Sequence, residues 1–374
     1  MTAAHGQGAE DTIQSGYTLD YISGRPIKET QKELVRQKIV RALIHEYGFS
    51  PENMALDFSV GGRKKVDIAV FHHEKPHTLD HLSRAVICRP EPKQGKNAVR
   101  IRDFQQASKD LEGIEDIMEQ VDSIQHGLWT DGLDLFFVQK ERTRFETKCV
   151  PIGDWPLTEE SVGTKDVLSD ARARVADPEM LKITFRRCHN FIHGNEGMPK
   201  DAAFWQFLYL IFCKMHDESQ QSALRQSYQR RFWAGPTEQY DVAGRKAIRS
   251  RIESLFAEVK RQYRNIFQGN ETISLSDRAL AFVVSELAKY DFTRTDVDAK
   301  GIAYQELVGV NLRGDRGQYF TPRGVVRLAI DMLDPKENET VLDPACGTGG
   351  FLVAALAHQL ARRVPSRSVR VWVD

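Results

Sequence analysis

The stretch "ETVLDPACGTGGFLVAALAHQLARR", residues 339–363, restricts the fold more than any other part of the sequence. Its first letters predict a strand, and the apolar spacing after the glycines predicts a helix. Gly347, Gly349 and Gly350 lack a Cβ, so the backbone of the turn can approach a ligand closely. A strand that leads through glycines into a helix is the first unit of a Rossmann-like nucleotide or cofactor site.

The letters around the glycines distinguish between cofactors. Dinucleotide sites use G-x-G-x-x-G with a pyrophosphate at the helix N-terminus, whereas here an acidic D-P precedes G-T-G-G. S-adenosylmethionine has no phosphate, and the carboxylate of Asp343 can face its ammonium group. The turn therefore favours S-adenosylmethionine over a dinucleotide.

A second motif precedes the turn at the expected distance. "DPACGTGGF", together with "GIAYQELVGVNLRGDRGQYFTPRGVVRLAIDML" before it, resembles the corresponding motifs of N6-adenine DNA methyltransferases, particularly the modification subunits of type I restriction systems. The segment "HNFIHGNEGMPKDAAFWQFLYLIFCKMHDE" resembles the helical region of that family more loosely. The resemblance implies methyl transfer from S-adenosylmethionine to adenine N6, double-stranded DNA as the substrate, and a specificity or restriction subunit as partner.

The resemblance also implies which residues bind the cofactor. In the family, the Q-Y/F-Y/F-T-P stretch lies across the methionine part of S-adenosylmethionine, and the glycine turn also binds the cofactor. The matching positions here are Gln318, Tyr319, Phe320, Thr321, Pro322, Arg323, Asp343, Pro344, Ala345, Cys346, Gly347, Thr348 and Gly349. The alternative interpretation of "QYFTPR" is a surface turn that proline ends.

The catalytic motif of the family is not found in this sequence. Adenine methylation needs the base outside the duplex, where an N-P-P-Y/F motif accepts the amino hydrogens and stacks on the ring. No N/D/S-P-P-Y/F/W occurs among the 374 residues, so no catalytic residue is assigned. We expect a fragment that is inactive alone, either a truncated or frameshifted product or a piece that awaits a partner chain.

The first part of the chain has the pattern of an α/β domain. In "KETQKELVRQKIVRALIHEYGF" the apolar positions have helical spacing, Thr30 and Glu33 offer a capping box, and Gly48 ends the helix. Three strand-like runs follow, "NMALDFSV", "KKVDIAVFH" and "RAVIC". A helix over about 99–121 and a hairpin from "QHGLWT" to "LDLFFVQK" complete the domain.

This domain resembles the N-terminal domain of type I restriction subunits, which has the PD-(D/E)xK nuclease fold. The resemblance implies a metal site with Glu33 on the helix and Asp67 on the second strand, and Mg²⁺ as cofactor if the domain is active. Ile87 or Cys88 stands where the next carboxylate belongs, and the E-x-K of Glu91 and Lys93 lies among prolines. We expect a degenerate domain kept for DNA contact or structure; a metal-dependent DNA endonuclease is the alternative.

The expected architecture is α/β and α multidomain. It comprises a mobile arm over 1–26, the PD-(D/E)xK nuclease-like α/β domain over 27–150, a linker over 151–165, an all-helical domain over 166–299, and an incomplete Rossmann-like methyltransferase domain over 300–374. The sequence has no apolar run long enough to span a membrane and no signal-peptide core, which favours a cytoplasmic protein.

Charge and metal-ligand residues leave further alternatives open. The formal net charge is zero, so the whole chain gives no electrostatic argument for nucleic acid. A local basic segment exists nevertheless, with aromatic residues interleaved, and it suits either a phosphate backbone or a solvated helix face. Its basic residues are Arg230, Arg231, Arg245, Lys246, Arg249, Arg251, Lys260, Arg261 and Arg264. "CHNFIH" contains Cys188, His189 and His193, for which packing is favoured over metal binding.

Overall fold

The computed structural model describes residues 15–92, 100–143, 146–156, 173–224, 228–295, 321, 323–346 and 349–363. The chain divides into two compact units, Met1–Asn311 and Leu312–Asp374. Each unit is presented by itself below.

A short hairpin opens the described part of the first unit. Strands β1 (Tyr17–Leu19) and β2 (Pro26–Lys28) pair antiparallel. Residues 15–26 therefore form ordered structure where the sequence predicts a mobile arm; residues 1–14 of that arm lie outside the described residues.

Helix α1 (Gln31–His45) begins where the sequence predicts it. The Thr30 hydroxyl accepts the backbone N–H of Glu33 at 3.1 Å, which is one half of a capping box. The helix ends before Gly48, whose φ of 75° suits glycine, and the N–H of Phe49 bonds back to the carbonyl of Leu43.

A six-stranded sheet follows α1 and contains the five strands predicted for the first domain. Its members are β3 (Met54–Gly61), β4 (Lys64–Phe71), β5 (Leu82–Cys88), β6 (His126–Thr130), β7 (Leu135–Arg142) and β8 (Thr147–Ile152). They lie in sequence order, and all neighbours are antiparallel except β5 and β6. A parallel pair needs a crossover, which helix α2 (Ser108–Gln120) supplies. This helix begins later than the predicted residue 99, since Asp103 and Gln106 bond to each other's backbone N–H groups in a turn.

The sheet separates two apolar clusters, one packed by α1 and one by α2. Val35, Ile39 and Leu43 of α1 belong to the first cluster, and Leu111 and Ile114 of α2 belong to the second. Gly127 of β6 makes the close packing of α2 possible. A Cβ at this position would lie 2.5 Å from the Met118 sulfur and 2.9 Å from Ile114.

Strand β8 corrects the expected boundary of the linker. Pro151 and Ile152, placed in the linker from the sequence, pair with β7. Proline is tolerated here because β8 is an edge strand of the sheet. Trp155 follows and is buried, with its indole N–H donating to the carbonyl of Gly127 at 3.1 Å. Residues 157–172, including the rest of the expected linker, lie outside the described residues.

The rest of the first unit is mainly helical. Its helices are α3 (Pro178–Asn190), which continues as a π-helical turn (Phe191–Asn195), α4 (Lys200–Leu224), α5 (Val242–Gln262) and α6 (Asp277–Ala288). Helix α4 lies in the segment that resembles the helical region of the family, and it buries Lys214 against Glu218 at 2.6 Å. Irregular stretches at 228–237 and 263–276 interrupt the expected all-helical region.

A buried polar network joins the sheet and the helices of the first unit. The side chain of Arg174 is 3% exposed, and its Nε lies 3.5 Å from Oε2 of Glu46. Its guanidinium also bonds to Asp154 and lies 4.1 Å from the ring centroid of Tyr47. Burial raises the pKa of Glu46 from 4.5 to about 7, against the opposing charge of Arg174.

The second unit consists, in its described part, of helices α7 (Arg323–Leu333) and α8 (Gly350–Arg363). Val326, Ile330 and Ala355 are buried where the helices meet. Asp334 accepts hydrogen bonds from Lys336, His358 and Arg362, and so ties the end of α7 to α8.

The strand predicted from "ETVLD" is not observed. Residues 339–343 are described without secondary structure, and Leu342 is 84% exposed. A strand requires a hydrogen-bonded neighbour, and no strand occurs among the described residues of the second unit. None of the helices in the described part of the chain has the length and apolarity needed to span a bilayer.

Candidate functional sites

The two carboxylates expected at a nuclease site are both buried and hydrogen-bonded. Glu33 lies in the first turn of α1, and Asp67 lies on β4. Asp67 Oδ2 accepts the backbone N–H of Cys88 at 2.8 Å, which joins β4 to the end of β5. Glu33 Oε1 accepts the side-chain amide of Gln37 at 2.8 Å.

Two cationic side chains of the same helix contact these carboxylates. Lys32 Nζ lies 2.5 Å from Asp67 Oδ1. Arg36 binds Glu33 through Nε at 3.1 Å and reaches Asp57 Oδ2 at 2.9 Å. Burial alone would lower the pKa of Arg36, but its hydrogen bonds to Glu33 and Asp57 raise it above the usual value. The cluster of Glu33, Asp57, Asp67, Lys32 and Arg36 is called the acidic cluster below.

The position of the missing third carboxylate is apolar. Ile87 and Cys88 are buried, and burial raises the pKa of the Cys88 thiol, with a further increase from the charge of Asp67. The nearest basic residue, Arg89, donates to the Cys88 carbonyl at 3.2 Å. Glu91 lies 3.9 Å from Arg186 of α3, and Lys93 lies outside the described residues.

A divalent metal does not fit the acidic cluster as it stands. Carboxylate ligands bind Mg²⁺ at about 2.0–2.1 Å, and Mg²⁺ demands an octahedral shell of oxygens. Here an ammonium and a guanidinium already lie on the carboxylates. Across the described part of the chain, no group of three or more His, Cys, Asp and Glu side chains is arranged to hold a metal.

The described part of the glycine turn has an ordered backbone. Asp343 is half-buried, and its Oδ1 accepts the N–H of Ala345 at 3.1 Å. Gly349 has a φ of 78° and donates to the Cys346 carbonyl at 2.7 Å. Its own carbonyl accepts the N–H of Val353 at 2.9 Å, which starts α8. Glycine is needed at position 349, because other residues are strained at such a φ.

The turn is open to a ligand at Gly349 and Gly350, where α8 begins. A Cβ added at Gly349 or Gly350 would meet no atom within 4 Å. Pro344, Ala345 and Cys346 are exposed. An accessible helix N-terminus beside a carboxylate can therefore hold a small ligand with both acceptor and cationic groups.

The expected cofactor-binding residues all remain predictions, and several of them cannot be placed. Gln318, Tyr319, Phe320, Pro322, Gly347 and Thr348 lie outside the described residues. Thr321 is exposed, and Arg323 is the first residue of α7.

The side chains of "CHNFIH" have roles in packing. Cys188 is fully buried, and burial raises the pKa of its thiol. Burial also lowers the pKa of His189 to about 4, with a smaller contribution from the charge of His193. His193 Nδ1 lies 2.7 Å from the Met198 carbonyl oxygen.

Most of the basic segment is engaged within the protein. Arg231 binds Glu258 at 2.6 Å, and Arg251 binds Glu238 at 2.9 Å while it stacks 3.8 Å from the Trp233 ring centroid. Similar contacts hold the others: Arg230 with Gln221, Arg245 with the Gln239 carbonyl, Arg249 with Asp277, and Lys260 with the Gly269 carbonyl. Lys246, Arg261 and Arg264 are exposed.

Sequence reasoning missed the partners of the acidic residues. Lys32 directly precedes Glu33, and Arg36 follows it three positions later. The i,i+3 spacing of Glu33 and Arg36 would have suggested an ion pair on α1. The contact of Lys32 with Asp67 spans 35 positions of sequence and has no such local signal.

Two protein families match separate parts of the chain. Residues 31–151 match the family described as Type I restriction enzyme R protein N terminus (HSDR_N). Residues 296–367 match N-6 DNA Methylase. No solved structure matches the chain.

Curated relatives are similar over part of their length. The type I restriction enzyme EcoEI methylase subunit of Escherichia coli is 27% identical over 203 residues, which cover 48% of this chain and 41% of that protein. The StySPI methylase subunit of Salmonella potsdam is 31% identical over 186 residues, 47% of this chain and 34% of that protein. The type II restriction enzyme and methyltransferase RM.BcgI of Heyndrickxia coagulans is 38% identical over 72 residues, 19% of this chain and 11% of that protein. The chain thus resembles type I methylase subunits, and it joins an R-protein-like segment to an N-6 DNA methylase segment.

Proposed function

We propose that the chain, which joins these two segments, is the N-terminal part of a site-specific DNA methyltransferase of a restriction-modification system. The reaction would transfer a methyl group from S-adenosylmethionine to adenine N6 in double-stranded DNA. The observation that carries the proposal is the turn at Asp343 and Gly349, which opens α8 within the segment that matches N-6 DNA Methylase.

The geometry of this turn supports a role in cofactor binding. The carboxylate of Asp343 is suited to the ammonium group of S-adenosylmethionine, because its Oδ1 already fixes the side chain on the N–H of Ala345. The backbone at Gly349 and Gly350 leaves room for a ligand against the start of α8. When bound, S-adenosylmethionine supplies the methyl group. Residues 318–323 are proposed to contact its methionine part.

The finer assignments of fold follow from the same proposal. The first sheet and its helices would be a PD-(D/E)xK nuclease-like domain, and the second unit would begin a Rossmann-like methyltransferase domain. The domain limits given above are part of this proposal, with the first domain extended through β8. A specificity or restriction subunit is the proposed partner, and the cytoplasm is the proposed location.

Binding of S-adenosylmethionine to the purified chain, measured by isothermal titration calorimetry, tests the proposal. We expect Gly349→Val and Asp343→Ala to lose binding, the first through backbone strain and the second through loss of the carboxylate. Gly324→Ala on α7 is the matched control, since an added Cβ there meets nothing within 4 Å and its φ is not positive. Retained affinity in both turn variants would contradict the assigned site.

Methyl transfer is expected to be absent in residues 1–374 alone, because the sequence has no N-P-P-Y/F motif. The measurement is incorporation of labelled methyl groups into adenine of double-stranded DNA. Incorporation by this chain would show that a different set of residues activates the amino group.

A second candidate is a DNA-binding module without catalysis. Arg261 and Arg264 near the end of α5 are exposed, and the side-chain bonds described for them go to the backbone carbonyls of Ala257 and Arg261. Both guanidinium groups can therefore reach a phosphate backbone. DNA binding that weakens steeply with salt, and that falls in Arg261→Gln/Arg264→Gln, would support this candidate. Unchanged binding in the double variant would exclude these two arginines.

A further inference from the structure

The acidic cluster contains three carboxylates and two internal cations. Asp67 is shared between Lys32 Nζ at 2.5 Å and the N–H of Cys88 at 2.8 Å. Glu33 accepts hydrogen bonds from the side chains of Arg36 and Gln37. The guanidinium of Arg36 also forms an ion pair with Asp57. Each carboxylate therefore contacts a cation that belongs to the first two turns of α1.

We propose that Lys32 and Arg36 occupy the place of a divalent metal ion, so that the acidic cluster joins α1 to the sheet without metal. The nuclease-like fold would then be retained as a structural element and would have no metal-dependent cleavage activity. This inference concerns only the first unit. Its test does not depend on cofactor binding in the second unit.

The short ion pair between Lys32 and Asp67 supports this replacement. An ammonium nitrogen 2.5 Å from Oδ1 lies within the distance at which Ca²⁺ binds a carboxylate, about 2.3–2.6 Å, and only slightly farther than Mg²⁺, at about 2.0–2.1 Å. A metal at that oxygen would have to displace Lys32. It would also face the guanidinium of Arg36, which repels it.

The other carboxylate oxygens of Asp67 and Glu33 are also bound by donors of the same chain. Oδ2 of Asp67 is fixed by the backbone N–H of Cys88, the last residue of β5. Both oxygens of Glu33 accept from Arg36. A carboxylate that is already satisfied by cationic donors gains little from a metal, because metal binding must first break those bonds.

The residues at the end of β5 are also unsuited to a metal site. The position that would supply a further carboxylate holds Cys88, whose buried sulfur is a soft ligand and therefore unsuited to a hard cation. Arg89 adds a third cation nearby, since its guanidinium donates to the Cys88 carbonyl at 3.2 Å. That carbonyl oxygen therefore already accepts a hydrogen bond from a cationic group.

Removal of the Lys32 ammonium should show whether it takes the place of a metal ion at Asp67. Its side chain is 42% exposed, so a shorter or neutral side chain can be accommodated without a cavity. Asp67 is only 10% exposed and would keep a single donor, the N–H of Cys88. An added cation could then reach Asp67 from solvent.

The experiment compares the full chain with Lys32→Met and with Lys64→Met. Lys64 also pairs with an aspartate, but its contact with Asp116 is 3.3 Å long and both side chains are well exposed, so it is the matched control. Thermal unfolding of each protein is recorded without metal and with millimolar MgCl₂ or MnCl₂, and Mn²⁺ binding is measured by electron paramagnetic resonance.

The expected result has two parts. The unaltered chain and Lys64→Met bind no Mn²⁺ at the acidic cluster, and metal leaves their Tm unchanged. Lys32→Met melts lower by about 2–4 °C, the shift that a loss near 1 kcal/mol produces in a domain of this size. Mn²⁺ restores that Tm in Lys32→Met, and a second change, Asp67→Asn, abolishes the recovery.

Two results would overturn the proposal. One is Mn²⁺ binding, or Mg²⁺-dependent nicking of plasmid DNA, by the unaltered chain that disappears in Asp67→Asn. The other is a Lys32→Met protein that is destabilised but gains nothing from metal. If Lys32→Met fails to fold, Lys32→Gln replaces it with the same criteria, because glutamine keeps a donor for Asp67.

Discussion

The acidic cluster of the first unit and the glycine turn of the second differ in how their polar groups are satisfied. In the acidic cluster, Asp67 and Glu33 are bound by cations and amides of the same chain. At the turn, Asp343 uses one oxygen for the backbone, and the space beside Gly349 is open. Both regions carry residues that a family resemblance marks as functional, yet only the open one can take a ligand without first breaking internal bonds.

This difference shows what a motif can and cannot establish. A motif records which residue types are present, whereas a site also depends on what the neighbouring side chains already bind. The contrast extends to stability, because the first unit buries some of its ion pairs completely, whereas the described ion pairs of the second unit lie closer to solvent.

Removal of Arg174 is expected to have the largest effect. Arg174→Met leaves Glu46 and Asp154 without their buried cation, and breaking such a pair typically costs about 3–5 kcal/mol. Urea unfolding, followed by the fluorescence of buried Trp155, measures this loss. Arg142→Met is the control: its pair with Asp122 is exposed on both sides and should contribute no more than about 1 kcal/mol. Equal losses in the two variants would remove the distinction between buried and exposed pairs.

The pH dependence of the first unit should come from Glu46. Its Oε2 has no hydrogen-bond partner among the described residues, and burial raises its pKa from 4.5 to about 7. The folded state therefore holds the proton more tightly than the unfolded chain. Its stabilising effect is complete below pH 4.5 and is lost as the pH rises toward 7.

Glu46→Gln should remove this slope, since an amide stays neutral and can still accept the N–H of Asp177. Free energies of unfolding from urea titrations between pH 4.5 and 8 provide the measurement. We expect the variant to be the more stable protein above pH 7. Parallel pH profiles for the two proteins would mean that Glu46 is ionised throughout.

Local patterns predicted much of the first unit. Helix α1 with its Thr30 cap, strands β3 to β7 and the turn at Gly132 all depend on short-range spacing or on glycine conformation. Strand β8 was missed because Pro151 weakens the strand signal, and only its position at the sheet edge makes proline acceptable. The strand expected from "ETVLD" was wrong for a related reason: a strand depends on a partner, and a one-dimensional pattern does not show whether the partner is present.

The candidate sites were predictable to different degrees. The turn at Gly349 that starts α8 was predicted from the sequence, because a glycine turn at a helix start is a local signal, and the role of Asp343 and Gly349 in cofactor binding stays a prediction. The contacts of Asp67 with Lys32 and of Glu46 with Arg174 join residues 35 and 128 positions apart. Such contacts arise only when the sheet and helices pack, so spacing along the chain could not reveal them.

Gly349→Ala should have a smaller and more local effect. An alanine at a φ of 78° is strained by about 1–2 kcal/mol, and the cost should be confined to the start of α8. Gly324→Ala on α7 is expected to do the reverse, since alanine is favoured over glycine in a helix by about 1 kcal/mol. Amide hydrogen exchange of α7 and α8 in each variant makes the measurement. Faster exchange in both variants, or in neither, would contradict the conformation assigned to the turn.

The smallest expected effect concerns Asp334 and has the opposite sign of pH dependence from Glu46. Hydrogen bonds from Lys336, then His358 and then Arg362 hold the pKa of Asp334 below its usual value. The stabilising effect is therefore present above pH 4 and is lost as the pH falls through the lowered pKa. Because the carboxylate is exposed to solvent, salt should weaken the effect.

Asp334→Asn tests this with little change in backbone, since asparagine tolerates the φ of 44° found there. In the unaltered chain, the amides of α8 should lose protection from hydrogen exchange as the solution is acidified below pH 4. In the variant, protection should be slightly lower at neutral pH and independent of acid. If acid loosens α8 equally in both proteins, the hydrogen bonds of Asp334 do not stabilise the packing of α7 against α8, which then depends, among the described residues, on buried side chains such as Val326, Ile330 and Ala355.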